Sequence, residues 1–370
     1  MRRLILLAIL ISFLPFPARA VEQITILSTP HRIADGRFDS NQLSQAIAPD
    51  GELGTKLFTL LRTSRDVFID VAALEEIQDI ADGYTYLDEN GDEIDIPESS
   101  EAALWLVRFK AAVVGKRIHA LPYGNPDRGY LAVKAPAEYR LCQEIGKSRL
   151  GAFLGQEVIG ADSLNLGERT TIEVRNFYNS YRPILRNIYR GFPAPEVLQL
   201  RLDLSKLLNP GVSTANLDIW IESLRAEISK SSSAIRIASG NYTITSSNYD
   251  LPVTVINDFS IPISIKLKVS PSNSRIIVGE LLPVSIPANS QVQVKLPLEV
   301  IASGETDLMI QIRSLAGRSI GEVSRIPIRL AVISPLTTWF TTGMAIILLL
   351  GAVIQSMRRV RRRGRDEPGI

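Results

Sequence analysis

The chain has 370 residues, 41 basic and 39 acidic, for a formal charge of +2. Its 45% hydrophobic and 22% charged content is an ordinary globular mix and excludes wholesale disorder. At about 150 residues per domain the length predicts two folded domains, and only two stretches are apolar enough for lipid, which excludes a multispanning membrane protein.

The charge is unevenly spread. Residues 1–20 carry +3, residues 21–357 carry −5, and the tail from Arg358 carries +4. Residues 1–20 combine Arg2 and Arg3, an apolar run from Leu4 to Leu14, and the small-x-small site Ala18-Arg19-Ala20. The run is too short for a bilayer of about 30 Å, so this segment is expected to be a cleaved secretory signal.

Residues 21–237 alternate short apolar runs with helical periodicity, which predicts an α/β domain. Candidate strands are Ile24–Leu27, Val67–Asp70 and Arg117–Leu121. Candidate helices are Asn41–Leu61 with a break at Pro49-Asp50-Gly51, Ala72–Ala81, Glu101–Val114, Arg175–Arg190 and Thr214–Lys230. In the Glu101–Val114 helix, Leu104, Val107, Phe109 and Val113 are apolar positions. Asp88–Pro97 is acidic and turn-rich, a solvated loop. Leu198–Leu208 fits a strand or a helix. Ser229–Ser233 reads as a linker.

Residues 238–334 change texture. Six apolar/polar alternations, punctuated by Gly, Pro, Asn or Ser, predict an all-β, immunoglobulin-like sandwich. Residues 335–357 carry no charged side chain and predict one transmembrane helix, with Trp339 at an interfacial belt. Arg358, Arg359, Arg361, Arg362 and Arg363 follow as a stop-transfer flank in an Arg-rich tail at 358–370, not as a nucleic-acid patch. This arrangement places the protein in the cytoplasmic membrane with the N-terminus extracytoplasmic and the C-terminus cytoplasmic. The lipid bilayer is its first expected partner.

Three strand ends carry polar residues, and ligand sites of parallel sheets form at carboxyl ends of strands. His31, Tyr123, Asn125 and Asp127 are candidate ligand-binding residues, suited to a glycan. Asp70 and Asp127 are the candidate pair for a two-carboxylate hydrolase. Each also has a plainer reading. Asp70 stands where a helix N-cap would, Pro122–Asp127 is dense in turn formers, and His31 lies in a polar loop without a second ligand at helical spacing. His119 is mid-strand. Two histidines and the single Cys142, which reads as a buried apolar residue, do not make a zinc site, so no metal or cofactor is expected. There is no G-x-S-x-G elbow, P-loop or dinucleotide fingerprint.

Several segments together carry a family resemblance. They are Pro30-His-Arg32 with Asp35-Gly36, Ala48-Pro-Asp-Gly-Glu-Leu53, Ile69-Asp-Val-Ala-Ala-Leu74, Ala120-Leu-Pro-Tyr-Gly-Asn-Pro-Asp127, Leu251-Pro-Val-Thr-Val-Ile-Asn-Asp258, Ile261-Pro262 and Ile286-Pro-Ala-Asn-Ser290. The chain resembles an uncharacterised actinobacterial family of secreted, single-pass membrane proteins, whose genes commonly lie beside a lipid II flippase homologue. The resemblance implies a polysaccharide-deacetylase-like α/β domain, here a partial or degenerate barrel, followed by an immunoglobulin-like domain. The paired-histidine metal motif of a deacetylase is absent. The expectation is a non-catalytic envelope module linked to peptidoglycan precursor export, its partner a lipid II flippase homologue or another envelope-synthesis membrane protein. A carbohydrate-active hydrolase and a structural surface module are the alternatives.

Overall fold

A computed structural model describes residues 24–26, 29–62, 66–88, 90–165, 169–331 and 335–363, with side chains in the last segment described for 342–358. The candidate signal at 1–20, and the side chains of Trp339, Arg359, Arg361, Arg362 and Arg363, lie outside the described residues. The chain divides into two units: one holds residues up to 186 and 198–229, the other 187–197 and 230 onward.

In the first unit, β1 (Ile24–Ile26) is followed by α1 (Gln42–Ile47), α2 (Glu52–Leu61), β2 (Val67–Ile69) and α3 (Val71–Asp82). Next come β3 (Tyr84–Leu87), β4 (Glu93–Ile96), α4 (Ser100–Val113), β5 (Ile118–Ala120), α5 (Arg128–Lys134), α6 (Pro136–Leu154) and β6 (Ile159–Gly160). Helices α7 (Ile172–Gly191), α8 (Pro195–Lys206) and α9 (Leu217–Ser232) complete the series, with a 3-10 turn at Thr214–Asn216; the end of α7, the start of α8 and the last residues of α9 count with the second unit. Strands β1, β2, β5 and β6 form a parallel sheet in that order. Because spatial order follows chain order, every crossover steps the same way, as in one part of a parallel barrel. Ile26, Val67 and Ile69 are fully buried, which is why these short β-branched runs form strands.

The acidic segment expected to be a loop is half of a hairpin: β3 and β4 pair from Tyr84↔Ile96 to Leu87↔Glu93. Asp88 ties the turn by accepting from the Asn90 and Asp92 amides, both at 2.8 Å. Leu198–Leu208 resolves as helix α8 rather than strand. In α4 the buried face is Trp105, Leu106, Phe109, Ala112 and Val113, while Leu104 and Val107 point outward. Trp105 and Phe109 stack at 5.2 Å, and Trp105 Nε1 donates to the Leu53 carbonyl at 3.3 Å. Aromatic bulk and a buried donor partner decide which of two apolar faces turns inward.

The second unit is a β-sandwich with immunoglobulin-like character. One sheet has the order β12 (Val284–Ile286), β10 (Ile263–Pro271), β14 (Gly304–Ser314), β15 (Ser324–Leu330) and β8 (Tyr242–Ile244). The other has β11 (Ile276–Val278), β13 (Ser290–Val300), β9 (Asn248–Asn257) and β7 (Ile235–Ile237). The expected Ser229–Ser233 linker is instead the end of α9, and β7, three residues on, already pairs with β9. Pro252 lies within β9, but its carbonyl takes the Tyr242 hydroxyl at 3.0 Å and β7 reaches only Val255–Asn257. Its missing N–H therefore leaves no ladder bond open.

Asn257 holds one sandwich corner. It is fully buried, donates to the carbonyls of Ile261 (2.9 Å) and Pro287 (2.8 Å), and accepts from Phe259 N at 3.1 Å. Replacing it by alanine removes the side-chain partner of three backbone groups at this corner, the buried Phe259 amide among them. Chemical denaturation should show a loss of about 2–4 kcal/mol, and a loss below about 0.5 kcal/mol would contradict this role.

The transmembrane helix expected at 335–357 is corrected by the structure. No helix among the described residues is long and apolar enough to cross a membrane. Helix α10 (Pro335–Arg363) has 29 residues, but its described side chains run only from Thr342 to Arg358. Leu348, Leu349 and Arg358 are exposed on it.

Candidate functional site

The carboxyl ends of β1, β2 and β5 meet at a dense cluster of polar side chains in the first unit. Asp70, directly after β2, is almost wholly buried. Its Oδ1 accepts from Ala72 N at 3.0 Å, capping α3, and from Gly124 N at 3.1 Å, fastening the turn after β5. Burial pushes its carboxyl up to about 7, against the pull of the two amides.

Lys206, the last residue of α8, occupies the space in front of these strand ends. It has no exposed surface. Its ammonium donates to the Arg32 carbonyl at 2.8 Å and to Glu76 Oε1 at 3.1 Å, lies 3.5 Å from Asp203 Oδ1, and sits 5.4 Å from the Trp220 ring centre. Gly124 makes room for its stem. This glycine has φ +72°, and a Cβ there would come within 2.8 Å of Lys206 Cγ. The other oxygen of Glu76 accepts from His31 N at 3.0 Å. A lysine and an adjacent glutamate thus fill the cleft that a parallel barrel would leave for a ligand.

Around this plug runs a ring of paired charges. Arg32 pairs with Asp79 and approaches Glu75 at 3.6 Å, and Arg149 donates to both oxygens of Glu75 at 3.1 Å. The Tyr123 hydroxyl donates to Glu75 at 2.8 Å and accepts from Gln199 at 3.3 Å, with Arg149 lying 5.0 Å from its ring centre. Tyr123 is fully buried, and burial followed by the Glu75 charge drives its hydroxyl well above the ordinary range. Burial also raises Asp79, with Arg32 opposing, and raises Asp203.

The remaining sequence candidates are also internally engaged. His31 Nδ1 lies 3.2 Å from Asp39 and Nε2 lies 3.2 Å from Thr29 Oγ1. Burial would raise Asp39, but bonds from His31 and from Trp220 Nε1 (2.9 Å) outweigh it and hold the carboxyl below its ordinary range. Asn125 is buried at φ +43°, its Oδ1 accepting from Leu164 N at 2.8 Å while Nδ2 has no partner among the described residues. Asp127 caps α5 through Tyr130 N at 3.1 Å and takes Thr170 Oγ1 at 3.3 Å and Arg175 at 3.4 Å. The structure therefore gathers His31, Asp70 and Tyr123 around the Lys206–Glu76 pair, while Asp127 serves a separate helix cap and ion pair. Cys142 is fully buried, which pushes its thiol up to about 12 and leaves it inert. Among the described residues no group of three His, Cys, Asp or Glu could hold a metal ion.

Beside the plug a cavity of about 770 Å³ is lined by Arg32, Arg37, Asp79, Asp82, Tyr84 and Gln199, among others. Sequence reasoning missed Lys206, Glu76 and Arg32. Glu76 alone left a local trace: it lies four residues from Ala72 and from Ile80, on the apolar face of α3, where a carboxylate needs a buried partner.

Among solved structures, one similar to the chain is WR4, a C. elegans MSP family member, at 16% identity over 26% of this chain and 98% of that one, TM-score 0.21. The PapD-like domain 7 of human CEP192 matches at 9% identity over 27% of this chain and 86% of that one, TM-score 0.22. The E. coli chaperone DraB matches at 13% identity over 27% of this chain and 57% of that one, TM-score 0.21. No curated protein matches the sequence. Neither the matched family nor any of these three structures is described as a polysaccharide deacetylase or a flippase. Residues 199–368, just under half of the chain, match the model of a "Family of unknown function (DUF6049)", and over that part the chain is similar to an uncharacterised family.

Proposed function

We propose that the protein is a non-catalytic accessory module of the cell envelope, working beside peptidoglycan precursor export. One observation carries the non-catalytic part: Lys206, wholly buried, occupies the strand-end cleft where a substrate would react. Both candidate carboxylates are spent on backbone amides as helix caps, and Asp70 is closed off from solvent. A hydrolase needs its acid and its nucleophile or base free to face one bond. The envelope setting rests on the family resemblance. So does the choice of partner, a lipid II flippase homologue or another envelope-synthesis protein. The cavity beside the plug, lined by both cations and carboxylates, supports a glycan-binding variant of the same reading.

Two assays test the proposal. Purified protein incubated with peptidoglycan fragments should release no product above the blank. Product that vanishes in Asp70→Asn or Asp127→Asn would establish the hydrolase instead. Crosslinking in native membranes should recover an envelope-synthesis protein, and recovery of none would count against the partner.

A further inference from the structure

Thr29, His31 and Asp39 form a chain of three side chains that the Lys206 plug does not use. Thr29 Oγ1 lies 3.2 Å from His31 Nε2, and His31 Nδ1 lies 3.2 Å from Asp39 Oδ1. That oxygen also accepts from the Ser40 hydroxyl at 3.1 Å, and the other Asp39 oxygen accepts from Trp220 Nε1 at 2.9 Å. These donors hold the carboxylate in its ionised, acceptor-only form, so the single proton of the neutral imidazole sits at Nδ1. Nε2 then carries the lone pair, and the Thr29 hydroxyl is the donor that faces it. Hydroxyl, imidazole and carboxylate stand in the order that activates an oxygen nucleophile. Burial follows the same order: His31 and Asp39 are each 6% exposed, while Thr29 is exposed.

Gly211 fixes the direction of the hydroxyl. A Cβ there would fall 2.6 Å from Thr29 Cγ2, so the threonine methyl is seated against the bare glycine while Oγ1 stays on His31. Gly211 also lines a cavity of about 490 Å³, with Arg169, Thr171, Asn209, Ser213 and Thr214 among others. Among the described lining residues Arg169 is the one charged side chain. One cation suits the single oxyanion that develops when a neutral carbonyl is attacked. A phosphoryl group would bring more negative charge than one arginine balances, and glycosyl transfer would need a carboxylate in the lining. We propose that Thr29 is an acyl-acceptor site: its hydroxyl, activated by His31 and with Asp39 as positioning residue, takes one acyl group from an activated ester or thioester. Oγ1 bonds to the carbonyl carbon as its proton passes to His31 Nε2. The tetrahedral intermediate expels the alkoxide or thiolate, which takes that proton and leaves as alcohol or thiol. Hydrolysis of the new ester would need water at Nε2, and the buried imidazole presents that atom only toward Thr29, so the ester persists. Acceptance of one group per chain goes beyond the accessory reading and stands beside a strand-end cleft that turns nothing over.

The test treats the full chain with p-nitrophenyl acetate, following nitrophenolate release by absorbance and locating the acetyl group by peptide mass spectrometry. The wild type should give a burst of about one equivalent per chain, with the acetyl group on Thr29. Thr29→Val, isosteric and at an exposed position, should melt like the wild type and lose both the burst and the label. Thr29→Ser should keep them. Asp39→Asn should slow the burst about tenfold or more, because an amide no longer fixes the proton at Nδ1. Nitrogen NMR of histidine-labelled protein reads that cause directly: neutral His31 should carry its proton at Nδ1 in the wild type, and this preference should be lost in Asp39→Asn. Absence of a burst, acetylation confined to lysines, or an equal burst in Thr29→Val overturns the proposal. So does a wild-type His31 protonated at Nε2. Continuing release that Thr29→Val abolishes would make the site an esterase, and would overturn the persistent ester together with the non-catalytic reading.

Discussion

Replacing Lys206 by methionine is expected to cost about 3–5 kcal/mol of stability, one of the largest single-residue effects in the protein. Methionine fills most of the stem volume, so the loss reflects charge rather than a cavity. Glu76 and Asp203, both buried, would lose their shared cation, and the Arg32 carbonyl its donor. A buried carboxylate without a partner costs several kcal/mol or takes up a proton. The triple change Lys206→Met, Glu76→Gln, Asp203→Asn should recover a substantial part of that loss, because it removes the orphaned charges along with the lysine. Urea denaturation measures both. A loss under about 1 kcal/mol for Lys206→Met would mean that solvent, not the protein, compensates these groups.

The second large effect is in pH. Asp70 has a folded-state pKa raised from 3.8 to about 7 by burial. The unfolded chain therefore gives up this proton at lower pH than the folded one. The stability it contributes is full below about pH 4 and is lost as the pH rises through about 7. Across that window the loss from this group is on the order of 4 kcal/mol, at about 1.36 kcal/mol per unit. Asparagine is isosteric, can still accept from Ala72 and Gly124 and does not titrate, so Asp70→Asn should remove this component. The difference between wild-type and variant unfolding free energies should change steadily between pH 4 and 7 and be flat above pH 8. A difference independent of pH would show that Asp70 remains ionised throughout, with solvent reaching it.

The parts of the fold legible in the sequence are those set by local pattern. The β-branched runs at Ile24, Val67 and Ile118 announced three of the four parallel strands. Asp70 before Val71-Ala72-Ala73-Leu74 announced a capped helix, because the cap chemistry is contained within three residues. Six strands of the β-sandwich were legible from their alternation, but the three-residue strands β11 and β12 were too short to show one, and β7 lay at the end of the stretch read as α/β, just past the expected polar linker. The hairpin β3–β4 was obscured because one strand reads Glu-Ile-Asp-Ile, whose carboxylates suggest a solvated loop until the Tyr84 strand is there to pair with it. In α4, the apolar positions repeat on two faces, and periodicity cannot say which one the core takes. The centre of the site was illegible for a different reason. Lys206 meets Glu76 across 130 residues of sequence, and a lysine in the last turn of a helix ordinarily signals a solvated, dipole-favoured end. Only the fold shows that this helix ends against Gly124, inside the strand-end cleft.

The closed cleft is tested most directly by the chemical reactivity of Lys206 in the native protein. Brief treatment with an amine-acylating reagent, followed by mass spectrometry, should label the exposed Lys134 and Lys147 while Lys206 stays unmodified until the protein is denatured. Labelling of Lys206 in the folded protein at a rate similar to Lys134 would show that the strand-end cleft is open to solutes, and would contradict the account.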